Sequence, residues 1–146
     1  MRTLFAAALL ALASQPVLAD TPDAVQPDLL TVVTSDSPQT QLMALILTRA
    51  SRAEGAEARV LLCDAAGDLA LAEPPQEVTK PLAPRAMSPH GLLSMLIADG
   101  VQVQVCAIYL PNSEAGEADL VDGVSVAAPP EIAAIMVAPN TRLFTF

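Results

Sequence analysis

Three apolar runs, DLLTVVTS (28–35), AEARVLLCD (56–64) and VQVQVCAIYL (101–110), recur along the chain with a helix-forming segment between neighbours. Strands that are apolar almost throughout, and joined by helices rather than tight turns, pair in parallel and need cover on both faces. Ser37-Pro38 and Ser88-Pro89 each set a capping hydroxyl before a proline, the signature of a helix start. Gly55 and Gly100 supply the matching stops. In the first helix Leu42, Met43, Ile46, Leu47 and Ala50 recur at three- and four-residue spacing, so this stripe is expected to face the sheet. In the next, Leu92, Leu93, Met95 and Ile97 form the apolar side, and Met95 is expected in the core.

The remainder continues the pattern. NSEAGEADLVDG (112–123) holds a short helical turn, VSVAA (124–128) is a brief fourth strand, Pro129-Pro130 open a last helix, and TRLFTF (141–146) is a terminal strand. The expected architecture is a three-layer, flavodoxin-like α/β sandwich with a mainly parallel sheet of about five strands. One stretch resists this reading. Residues 65–87 carry four prolines between positions 74 and 84 and no sustained period, which predicts either a functional loop or disorder.

The N-terminus reads differently. Arg2 precedes an apolar run from Leu4 to Ala13, and Val17-Leu18-Ala19 fits a small-residue cleavage site. That layout predicts a secretory signal peptide over 1–19, too short to span a bilayer. Residues 20–27 are an extended lead-in, and 28–146 a single domain. The expected location is the periplasm, with no membrane association after cleavage. Without Arg2, six Lys and Arg face sixteen Asp and Glu, a net charge of −10. Such a surface excludes nucleic acid and anionic lipid as partners, since both require concentrated positive charge.

Chemistry centres on the two cysteines. Because side chains alternate along a strand, Val101, Val103 and Val105 share one face while Gln102, Gln104 and Cys106 share the other. Cys63 stands at the same kind of position, where the second strand ends. Both thiols therefore fall at the carboxyl edge of the sheet, where ligands and catalytic groups gather in open α/β folds. Three states stay open: reactive thiols, quiet apolar fillers, or a Cys63–Cys106 disulfide, which needs neighbouring strand ends. Glu114, Glu117, Asp119 and Asp122 follow Cys106 and oppose a thiolate. Met87, His90, Met95 and Cys106 form a candidate soft-metal set, without tight ligand spacing. No glycine-rich phosphate loop and no carboxylate pair stands out, and nothing implies a cofactor.

The segments TVVTSDSPQTQLMALILTRA, GAEARVLLCDAAGDLAL, GVQVQVCAIYLPN and DLVDGVSVAAPPEIAAIMVAPNTRLFTF resemble the DsrE/DsrF-like (DsrEFH-like) family of small α/β proteins, which includes sulfur-relay subunits. The resemblance implies that Cys106 carries sulfur as a persulfide or acts as a redox thiol, with Cys63 as resolving partner or structural residue. It also implies a homo-oligomer, trimer or hexamer, and a sulfur donor or acceptor protein. Sulfur-carrying members continue past that cysteine with small residues and a basic residue, whereas AIYLPNSEAGE follows here. The competing readings are a non-catalytic oligomeric or small-ligand-binding module and, further off, a soft-metal binder.

Overall fold

The computed structural model describes residues 27–146; the segment read from the sequence as a signal peptide, and all but the last residue of the expected lead-in, lie outside the described residues. Five strands, β1 (Asp28–Val33), β2 (Glu57–Leu62), β3 (Gln102–Val105), β4 (Val124–Val126) and β5 (Thr141–Thr145), form one sheet in the order β4-β3-β2-β1-β5. Every pairing is parallel. Helices α1 (Pro38–Ala53), α2 (Gln76–Thr79) and α3 (Pro89–Ala98) lie on one face and α4 (Pro129–Met136) on the other. Right-handed crossovers account for the split. From β1 to β4 the chain steps toward one edge with its helices on one side; from β4 it returns past β1 to β5, which puts α4 on the opposite side.

The principal core lies between the sheet and α1, α2 and α3. Val33, Val60, Leu62, Val103 and Val105 meet Leu42, Leu45, Leu92, Leu93 and Leu96, all closed to solvent. Burial of such side chains contributes roughly 1.5–3 kcal/mol each. Ser88 caps α3 as expected, its hydroxyl accepting from Gly91 N at 3.1 Å. Gly55 and Gly100 follow the ends of α1 and α3 at positive φ. The second face is thinner, with Leu30, Leu61 and Ala127 packed under Ile132 of α4.

Three expectations need correction. Apart from Leu42, the α1 stripe does not face the sheet: Met43, Ile46 and Leu47 are 49%, 42% and 39% exposed, and the buried side carries Gln41, Leu42, Ala44, Leu45 and Thr48. Polar groups set this rotation. The Thr31 and Thr48 hydroxyls meet in the core at 2.7 Å, Thr48 donates onward to Ala44 O at 2.8 Å, and Gln41 Nε2 donates to Ser35 O at 2.8 Å. Those groups would lose their partners if the more apolar stripe turned inward. Met95 is likewise at the surface, because Leu92, Leu93 and Leu96 take the inner side of α3. Residues 65–87 are not structureless. A 3₁₀ segment (Asp64–Ala70) and α2 occupy part of them, and Ala72 N and Val121 N bond to Asp119 O and Ala70 O across a distant loop.

Candidate functional site

Cys63 and Cys106 are the residues immediately after β2 and β3. These strands are neighbours in register, with Leu62 opposite Val105, so the cysteines occupy the next rung. Backbone hydrogen bonds extend the ladder to them: Cys63 N donates to Val33 O at 2.9 Å and Cys106 N to Leu62 O at 2.8 Å. Residues on adjacent rungs point to the same face, and here that face is the one under α4. Their Cα atoms are 5.0 Å apart, and the two side chains form a disulfide. Of the three states open from the sequence, the structure has the bridge. Neither cysteine among the described residues is free.

The bridge is half-buried and lies between two concavities. The larger, a cleft of about 650 Å³, is bounded by both cysteines, Asp64, Asp68, Ile108 and Tyr109. A smaller apolar groove of about 210 Å³ runs along α4 and reaches Cys106 but not Cys63. Asp64 turns the chain out of the sheet directly after Cys63 at a φ of 51°, a conformation that Asp tolerates better than most side chains. Behind the bridge on the same face, the Arg59 guanidinium bonds to Gln102 Oε1, and buried Gln104 donates to Ser125 Oγ at 3.4 Å.

Tyr109, the chain's sole tyrosine, forms a wall shared by the cleft and an adjoining hollow of about 420 Å³. Its hydroxyl donates to Asp68 Oδ1 at 2.8 Å. Burial of the ring, then the hydrogen bond and negative charge of Asp68, push the phenol well above the ordinary tyrosine range, so it stays a proton donor. The ring lies against Gly67, where a Cβ would come within 2.3 Å of two ring carbons. Only glycine permits this approach. Sequence reasoning passed over Tyr109 and Asp68 as site residues. The available signal was a lone tyrosine, three residues beyond Cys106, in a chain with 3% aromatics.

The surroundings are acidic. Asp64 and Asp68 border the cleft, the adjoining hollow adds Glu73, Glu114 and Asp119, and neither carries a Lys, Arg or His. Glu114 and Asp119 thus lie where the sequence suggested; Glu117 and Asp122 border neither hollow. The soft-metal set is not assembled. Cys106 is bridged, and His90 Nδ1 is engaged as a donor to Leu69 O at 3.0 Å. Among the described residues no group of three or more His, Cys, Asp or Glu side chains is placed to hold a metal ion.

A parallel five-stranded sheet with a cysteine bridge at its carboxyl edge defines an α/β protein, and comparison with solved structures places its architecture. The YchN protein from E. coli superposes with a TM-score of 0.64 at 20% identity, over 83% of this chain and 99% of that one. MTH1491 from Methanobacterium thermoautotrophicum, described as a protein of unknown function, superposes with a TM-score of 0.59 at 15% identity, with the same coverage of both chains. These are DsrE/DsrF-like folds, and the chain has that fold. No protein-family model matches it, and a comparison with curated proteins finds no match.

Proposed function

We propose that this is an exported sulfur-relay or thiol-redox protein whose working group is the Cys63–Cys106 bridge. The observation that carries this reading is the bridge's position, at the carboxyl edge of a parallel sheet and in the wall of an open cleft. A thiolate entering the cleft attacks one cysteine sulfur. The S–S bond breaks, the displaced cysteine leaves as thiolate and takes a proton, and the attacker stays as a mixed disulfide. With hydrosulfide as attacker, the same step leaves a persulfide on Cys106 and a thiol on Cys63. No separate oxidant is required, because the disulfide accepts the electron pair. An acceptor thiolate then takes the outer sulfur, and exchange with a disulfide-bearing oxidant closes the remaining dithiol, two electrons and two protons leaving.

Cys106 is the sulfur-bearing residue in this reading because it borders both concavities, whereas Cys63 borders only the cleft. Cys63 is the resolving partner. The N-terminal sequence supports export, and an oxidising compartment is where such a bridge persists. The test is kinetic. The bridge should open in the folded protein with a rate proportional to thiol concentration, faster than the chain unfolds under the same conditions. Opening that never exceeds the unfolding rate would sink the proposal.

The exposed face of α1, with Met43, Ile46 and Leu47, favours a second reading: a homo-oligomer or small-ligand-binding module with the bridge as a staple. Native mass measurement checks the assembly, a trimer or hexamer supporting it and a monomer at micromolar concentration opposing it.

A further inference from the structure

We infer that the cleft selects its thiol partner by charge, and that the partner is a protein segment carrying Lys or Arg beside its reactive cysteine. The inference rests on the exchange reading above and specifies the partner of the same bridge. Three observations carry it. First, the bridge is reached through a cleft whose continuous wall, with the hollow across Tyr109, holds five carboxylates and no cation. Second, the cations of the described chain lie elsewhere: Arg49 and Arg52 on α1, Arg59 and Arg142 on strands, Lys80 and Arg85 in the connection before α3. Third, Ile108 stands at the cleft 73% exposed, a single apolar contact beside the charged walls.

An attacking thiolate is itself an anion. Low-dielectric protein walls around a concave, acid-lined site focus repulsion on it, and adjacent positive charge on the attacker offsets that repulsion. Small anionic thiols and hydrosulfide are thereby held back, while a cysteine between basic side chains is drawn in. An apolar residue on the same segment has Ile108 to pack against. The Tyr109 hydroxyl does not soften the walls, since its proton is committed to Asp68.

The probes are two short synthetic peptides, Lys-Cys-Lys and Glu-Cys-Glu, with 2-mercaptoethanol as a thiol that carries no charge beyond its thiolate. Each opening rate of the native bridge is expressed per thiolate and divided by that thiol's rate on a neutral small disulfide. The basic peptide should exceed the acidic one by about tenfold or more at low salt, converging at about 1 M salt where the Debye length is about 3 Å. The paired substitution Glu73→Gln, Glu114→Gln, at two exposed positions in the adjoining hollow, should cut that ratio several-fold, lowering the basic peptide's rate and raising the acidic peptide's, with 2-mercaptoethanol thiolate rising by less than the acidic peptide. Equal normalised rates for the two peptides, or a ratio indifferent to salt and to these substitutions, would overturn charge selection with the exchange reading intact. Failure of all three thiols to open the bridge in the folded protein would overturn the exchange reading, and this inference with it.

Discussion

Removing the bridge should lower folding stability by about 4 kcal/mol. The cysteines are 43 residues apart in sequence, and opening a loop of that length frees the unfolded chain by about 4 kcal/mol in loop-closure entropy at 25 °C. The loss is large against the roughly 5–15 kcal/mol that holds a domain of this kind together. Cys63→Ser, Cys106→Ser and the double variant should each lose nearly the same amount, since any one of them breaks the same bond. Urea unfolding, followed by Tyr109 fluorescence without interference from tryptophan, reads the change. With a urea dependence of about 1–3 kcal/mol per M, the midpoint should fall by roughly 1.3–4 M. The slope itself should rise, because the uncrosslinked chain exposes more surface on unfolding. A double variant within about 1 kcal/mol of the non-reduced parent would refute the reasoning, as would single variants whose losses add.

Two further substitutions test the packing around the site. Thr48→Val should cost about 1–3 kcal/mol in urea unfolding by orphaning the buried Thr31 hydroxyl, while Thr31→Val with Thr48→Val should recover most of that loss; additive losses would contradict the pairing. Tyr109 adds a pH signature. Its folded proton affinity is raised, so above pH about 10 the unfolded chain ionises first and binds fewer protons than the native one. Stability should therefore fall as pH rises past that point, by about 1.4 kcal/mol per unit from this group, and Tyr109→Phe should remove that contribution. An unchanged alkaline slope in Tyr109→Phe would contradict the role assigned to Asp68 and burial.

Much of the fold was legible because its signals are local. Ser88-Pro89, Pro38, Gly55 and Gly100 mark helix ends through their own backbone preferences, and the valines of β3 declare their face by alternation. The orientation of α1 was not legible from apolarity alone. Its most apolar stripe is exposed, because the Thr31–Thr48 and Gln41–Ser35 bonds join residues distant in the chain and orient the helix by partner satisfaction. Residues 65–87 hid their structure for a related reason: they are held by backbone bonds to the 119–121 segment, and those leave no periodic trace. The cysteines' level in the sheet followed from pattern, but their bridging depended on β2 and β3 being neighbours, which one sequence does not encode openly. The Tyr109–Asp68 pair depends on Gly67 admitting the ring, a contact across 42 residues.

The most direct test of the central claim is a mass measurement on the folded, non-reduced protein after brief exposure to hydrosulfide at about 1 M salt, where repulsion by the acidic walls is screened, and immediate alkylation. The account predicts one added sulfur, mapped by peptide fragmentation to Cys106, with the alkyl group on the persulfide and a second alkyl group on Cys63. A bridge recovered intact in the folded protein, at hydrosulfide concentrations that convert it once the chain is unfolded, would contradict the claim that it is a working group.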